Sequence, residues 1–197
     1  MSKNTSRSVS GALRIVAGSL RGSRLAVPVV KGLRPTPDRI RETLFNWLTP
    51  VIAGARCLDL FAGTGALGIE AMSRGAVECV FVERDRTLCA LLQENLARLR
   101  VVDARVVNDD ARGFLVPPPA TPFDLVFLDP SFDANLWAST AASLELSRWM
   151  RDGAFVYVES PADAVFELPA NWHPHREGRA GAVRYALYRR AASNPLS

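Results

Sequence analysis

The chain has 197 residues, 48% of them apolar and 22% charged, which excludes wholesale disorder. That length suits one globular domain with a small appendage, able to bury a core without disulfide staples. The net charge of +4 is unevenly spread: residues 1–41 hold nine basic groups and one acid, and the remainder holds 15 basic and 19 acidic groups. A basic arm on a mildly acidic body suits a polyanion such as nucleic acid, although a solvated basic tail has the same composition.

Residues 1–10 are polar and Ser-rich and are expected to be disordered. Arg7 and Arg14 interrupt every candidate signal-peptide core, and the apolar-rich stretch 60–69 is half the length of a membrane span. A soluble cytoplasmic protein is expected. Residues 13–17 and 24–30 read as strands of a basic hairpin around a turn at Gly18–Ser23. Thr36 then reads as a helix cap, with Pro37 at the first helical position and Asp38 in the first turn. Ile40, Leu44, Phe45 and Leu48 form an apolar stripe at helical spacing, and Pro50 ends it.

From Cys57 onward short apolar runs alternate with amphipathic helices. Strands are expected at 57–60, 79–82, 105–107, 125–128 and 154–158. Helices are expected at about 66–74, with Gly75 as its C-terminal cap, from Asp85 to about Leu99, and at 135–148. Residues 183–189 alternate and read as one arm of a terminal hairpin. The expected fold is α/β and Rossmann-like: a seven-stranded, mostly parallel sheet with helices on both faces and a basic extension. The expected organisation is a basic extension at 1–50, a main domain at 51–192 and a tail at 193–197. Cys57, Cys79 and Cys89 lack CxxC spacing and read as buried, reduced thiols; no metal site is expected. His173 and His175 flank Pro174 in a loop-like stretch and read as structural or surface residues.

Two motifs carry chemistry. Gly63, Gly65 and Gly68 match a GxGxxG turn between a strand and a helix, a pattern that on its own also serves plain tight packing. Charge narrows the ligand. Asp59 lies near the end of the first strand and Glu83, Asp109, Asp110, Asp129 and Glu159 follow later ones, so the carboxyl edge of the sheet is acidic. A pyrophosphate there meets like charge, whereas a cationic ligand is favoured. S-adenosylmethionine fits, because it carries a sulfonium and an ammonium and no phosphate. Glu83 lies 20 residues after Gly63, where an acid can pair with ribose hydroxyls, and Asp110 or Asp109 can accept from the adenine amino group. Helix capping is the alternative role for Asp85 and Asp109.

The second motif is Asp129-Pro130-Ser131-Phe132 at the end of the central strand. An exocyclic amino group of a base is a poor nucleophile because its lone pair is delocalised into the ring. The Asp129 carboxylate and Pro130 carbonyl can accept its two hydrogens, which localises the lone pair and stabilises the charge that develops. Phe132 offers a face on which the base can stack.

Six segments together resemble the bacterial small-subunit ribosomal RNA guanine-N2 methyltransferases of the RsmD group. They are Arg14-Ile-Val-Ala-Gly18, Leu33-Arg-Pro-Thr36, Asp38–Trp47, Asp59–Gly68, Asp129–Phe132 and Val156-Tyr-Val-Glu-Ser160. The resemblance implies methyl transfer from S-adenosylmethionine to N2 of a guanine in 16S rRNA, within the small subunit or a late assembly intermediate; a monomer is expected, although the sequence itself gives no oligomeric state. It implies Asp59, Phe61, Gly63, Thr64 and Gly65 as cofactor-loop residues, Glu83 as the ribose ligand, and Asp110 with Ala111 on the adenine side. Asp129, Pro130 and Phe132 fall on the base side, and Arg14, Arg21, Arg24, Arg34, Thr36 and Arg41 are candidate RNA contacts. One departure is Ser131 where the group's motif has a second proline. Three other readings remain at this point: an adenine-N6 methyltransferase, a non-catalytic RNA-binding assembly factor, and a nicotinamide-dependent oxidoreductase, the last disfavoured by the acidic edge.

Overall fold

The computed structural model describes residues 9–28 and 36–192. The expectations for residues 1–8, Arg34 and the 193–197 tail lie outside that range. The hairpin is present, with β1 (Val9–Arg14) antiparallel to β2 (Arg24–Pro28); its first strand lies earlier than the expected 13–17 and takes in Val9 and Ser10, which the sequence reading expects to be disordered. It leads into α1 (Asp38–Leu48). The main sheet contains β3 (Arg56–Asp59), β4 (Glu78–Glu83), β5 (Ala104–Asn108), β6 (Phe123–Leu128), β7 (Met150–Pro161), β8 (Trp172–Ala180) and β9 (Val183–Arg190). Its order is β5-β4-β3-β6-β7-β9-β8, with the first five strands parallel and the last two antiparallel to their neighbours. The connecting helices are α2 (Ala66–Ser73), α3 (Arg86–Arg98), α4 (Ala111–Phe114) and α5 (Trp137–Leu146).

Strand periodicity builds two cores. Cys57, Cys79, Phe81, Leu125, Phe127 and Tyr157 face α1, α2, α3 and the hairpin. Their neighbours Leu58, Val80, Val82, Val126, Val156 and Val158 face α4 and α5. Successive side chains of a strand point to opposite faces, so a strand buried on both sides reads as a continuous apolar run. The three cysteines are free and buried. Among the described residues no helix is long and apolar enough to cross a membrane.

Three further details differ from the sequence reading. Thr36 does not cap α1: the preceding position is Pro37, with no side-chain capping bond, and the Thr36 hydroxyl reaches elsewhere. His173 and His175 lie in β8, an edge strand, not a loop. That strand is polar and mostly exposed and contains Pro174 at a register shift, so it lacks an apolar alternation to read. The third concerns Arg41. It is fully buried, its Nη2 donating to the Arg14 carbonyl (2.7 Å) and to Asp38 Oδ1 (2.6 Å). It cannot contact phosphate, because its charge is spent inside the fold.

A second carboxylate beside Arg41, Glu70 of α2, is also fully buried and lies 3.5 Å from Arg41 Nη1. Glu70 accepts from the backbone N–H groups of Val16 (2.8 Å) and Ala17 (3.0 Å) and from Arg74 Nε (2.8 Å). The hairpin turn is sewn to the end of the same helix. Ser19 N donates to the Ser73 carbonyl (2.7 Å), Leu20 N to Ser73 Oγ (2.9 Å), and Ser73 Oγ to the Ala17 carbonyl (2.5 Å). Gly18 takes φ +82°, and a Cβ there would lie 1.9 Å from the Ser73 carbonyl oxygen, so only glycine lets the turn dock. Glu70→Ala leaves Arg41 buried with Asp38 as its remaining carboxylate, and leaves the Val16 and Ala17 N–H groups without their acceptor; it is expected to cost about 3–5 kcal/mol in urea unfolding.

Candidate active site

The sheet changes winding direction between β3 and β6, which lie side by side although far apart in the chain. Open α/β sheets bind ligands at such a switch point, outside the carboxyl ends of the strands. A cavity of about 800 Å³ lies there. Asp59 ends β3, Glu83 ends β4, and Asp129 follows β6; all three line it.

The β3–α2 loop is shaped by backbone geometry and braced by acids. Gly63 and Gly65 take φ of +52° and +77°. A Cβ on Gly68 would sit 2.2 Å from the Phe81 ring, so the third glycine sets how closely α2 lies on the sheet. Asp59, 2% exposed, accepts from Gly68 N (3.1 Å). Glu83 accepts from Gly63 N at Oε2 (2.9 Å) and from Asp85 N at Oε1 (2.8 Å). Each carboxylate oxygen has two acceptor positions, so Glu83 can brace the loop and still receive ligand hydroxyls. Phe61, Gly63, Thr64, Asp110 and Ala111 line the cavity, whereas Gly65 sits behind the wall at the start of α2.

Asp85 caps α3, accepting from Thr87 N (2.7 Å) and Leu88 N (3.1 Å). Asp110, not Asp109, caps the short α4, accepting from Arg112 N (3.0 Å). Burial pushes the Asp110 carboxyl up, but the bonds from Arg112 outweigh this and hold it below its usual range. Asp109 accepts from Asp110 N (2.8 Å) and shares the cavity wall.

On the other side, Asp129-Pro130-Ser131 turns into a single 3-10 turn, Phe132–Ala134. Ser131 takes φ −55°, within the range a proline ring imposes, so the missing second proline does not change the loop path here. Phe132 is half-buried, 6.3 Å between ring centroids from Trp137. Thr36 is buried and its hydroxyl donates to Asp129 Oδ2 at 3.3 Å, so it belongs to the cavity and not to the outer arm. Two further residues that the motif reading did not assign stand at the cavity. Glu159, at the end of β7, lines the cavity, and Tyr157 donates to its Oε2 (2.8 Å). The signal for Glu159 was its place in the acidic series, and both residues lie in the Val156–Ser160 segment that carries the family resemblance.

Arg14, Arg21 and Arg24 are exposed on the hairpin. Arg14 and Arg24 are direct cross-strand partners, a like-charge juxtaposition that is unfavourable without an anion nearby.

A sheet of this order, with a glycine loop at its switch point and acids around it, defines a class I methyltransferase. Residues 13–189 match the family described as Conserved hypothetical protein 95. Ribosomal RNA small subunit methyltransferase D of Escherichia coli (strain K12) is 50% identical over 191 residues, 96% of each chain. The protein of the same name from Haemophilus influenzae is 43% identical, covering 95% of this chain and 99% of that one. The solved structure of Escherichia coli yhhF, described as a methyltransferase, superposes with a TM-score of 0.86 at 48% identity, covering 93% of this chain and all of that one. The chain belongs to this family, the RsmD-type methyltransferases.

Burial pushes the Asp59 carboxyl up to about 7; the Gly68 N–H opposes this and the charge of Glu83 adds to it. An unfolded aspartate releases its proton near pH 4, to an approximation. This group therefore favours the folded state at low pH, and that advantage is lost as pH rises through about 7. In urea unfolding of the ligand-free protein, Asp59→Asn is expected to gain on the order of 2 kcal/mol relative to wild type between about pH 5 and pH 8.

Proposed function

We propose that the protein transfers a methyl group from S-adenosylmethionine to the exocyclic N2 amino group of a guanine in 16S rRNA, in the small subunit or a late assembly intermediate. The carrying observation is that Asp129-Pro130-Ser131-Phe132 and the acid-braced glycine loop open on one cavity. The names of the relatives support ribosomal RNA as the substrate class. A cytoplasmic location accords with that substrate.

The residues present suit the cofactor. Asp59 is a buried acid whose ionisation is penalised in the absence of a cation, so a positively charged ligand relieves it. Asp59, Phe61, Gly63, Thr64 and Gly65 would form the cofactor loop, Glu83 would take the ribose hydroxyls, and Asp110 with Ala111 would face the adenine. When bound, S-adenosylmethionine supplies an electrophilic methyl group on its sulfonium.

The chain's own work is on the base. Phe132 stacks on the flipped guanine, which must leave its helix or come from an unpaired region to enter the cavity. The Asp129 carboxylate and the Pro130 carbonyl accept the two amino hydrogens, which points the nitrogen lone pair away from the ring plane. The Asp129 charge stabilises the ammonium character that develops at N2 and can receive the proton that is released. Thr36, through its hydroxyl on Asp129, orients that carboxylate. The exposed arginines of the hairpin hold the RNA by its phosphates, and residues 1–50 act as the RNA-contacting extension of the 51–192 catalytic domain.

Small subunits from cells lacking the enzyme, incubated with protein and methyl donor and analysed by nucleoside mass spectrometry, are expected to gain N2-methylguanine. N6-methyladenine or no product overturns the reading. Asp129→Ala is expected to lower turnover by about 100-fold or more while S-adenosylhomocysteine still binds in calorimetry. Replacing Arg14 and Arg24 by Ala should weaken RNA binding and reduce the slope of log affinity against log salt by roughly 1 to 2. An unchanged slope makes the hairpin a bystander.

A further inference from the structure

The cavity wall contains one buried acid that the chemistry above leaves unused. Leu128 and Val158 are register partners in the parallel pair β6–β7, so Asp129 and Glu159 are the next residues along on adjacent strands. Such strands lie about 4.8 Å apart, and register neighbours project to the same face. Both acids line the cavity, and Glu159 is only 3% exposed. Its placement is held from two sides. Tyr157 Oη donates to its Oε2 at 2.8 Å, and Trp137 Nε1 donates to its backbone carbonyl at 2.8 Å. Burial, then the charges of Glu159 and Asp129, push the Tyr157 phenol well above its usual range, so it remains a donor.

A carboxylate beside an amino-group acceptor distinguishes among bases. In guanine the N2 amino group is flanked by the N1–H donor. In adenine and cytosine the amino group is flanked on that edge by a ring nitrogen bearing a lone pair. Asp129 and Pro130 alone do not separate the three, because each presents two amino hydrogens. A second, fixed acceptor pairs with guanine and opposes lone pairs on the others, and an unmatched buried polar group is strongly discriminating.

Building on the guanine-N2 reading, we propose that Glu159 reads the N1–H of the target guanine while Asp129 and Pro130 hold its N2 amino group. Tyr157 is then a positioning residue that keeps one carboxylate oxygen turned to the base.

The test replaces the methylated guanine, once mapped, by 2-aminopurine in reconstituted small subunits. 2-Aminopurine keeps the N2 amino group but bears a lone pair at N1. The wild type is expected to use it at least about 100-fold less well than guanine in kcat/KM. In Glu159→Gln the side-chain amide can donate to that lone pair. The variant is therefore expected to lose at least about tenfold on guanine and to raise the 2-aminopurine-to-guanine ratio at least about tenfold over wild type. Unchanged S-adenosylhomocysteine binding shows that the variant is folded. A ratio equal to that of the wild type overturns the assignment. So does wild-type enzyme that uses the two bases equally, a result that stands even if the variant does not fold. Methylation by the wild type at a position other than guanine N2 overturns the functional reading itself, so the two failures are told apart.

Discussion

The buried ion pair between Glu70 and Arg41 is the interaction on which the placement of the N-terminal arm depends. Glu70 binds the backbone of Val16 and Ala17, the Arg74 guanidinium and Arg41, so one carboxylate joins the hairpin, α1 and α2. Two charges removed from water are tolerated only when their partners are in place. Arg41 in turn grips the carbonyl of Arg14, the β1 residue paired with Arg24 of β2, so the hairpin and α1 are held to one point. The result is that Thr36, two residues before α1, lands on Asp129. The arm is thus part of the cavity as well as its basic neighbour.

The cavity is organised by clustered acidic side chains, Asp59, Glu83, Asp129 and Glu159 among them. Asp59 is held in a place where its ionisation is opposed, and Glu83 beside it deepens the opposition. Ionising Asp59 there costs stability, a cost that a cationic ligand would offset. The same logic runs along β6 and β7, where Asp129 and Glu159 stand side by side. Strained electrostatics of this kind marks functional sites because folding alone gives no reason to keep it. The positive hairpin, with Arg14 opposite Arg24, is the complementary case on the outside.

Much of this was legible locally. The alternation of apolar strands and amphipathic helices, the glycine spacing at 63, 65 and 68, and Asp85 as a cap all appear in the fold near the expected positions. These features depend on neighbours within a few residues, and the chain states them directly. The bounds of β7 ran longer than the apolar run at 154–158, because its ends are paired by β6 and β9 and not by their own hydrophobicity. Strand β8 was invisible for the same reason, and α4 is a single capped turn too short for periodicity.

Charge is where local reading stopped. The sequence by itself determined the fold class, the acidic edge and the Asp-Pro-aromatic turn, since each is written in consecutive or regularly spaced residues. Tertiary structure alone decided which charges are spent inside. Arg41 looked like its exposed neighbours until Glu70 and the Arg14 carbonyl enclosed it. Thr36 looked like a cap until Asp129, 93 residues away, claimed its hydroxyl. A side chain's solvation and partners are set by groups distant in the chain, and no short-range pattern encodes them.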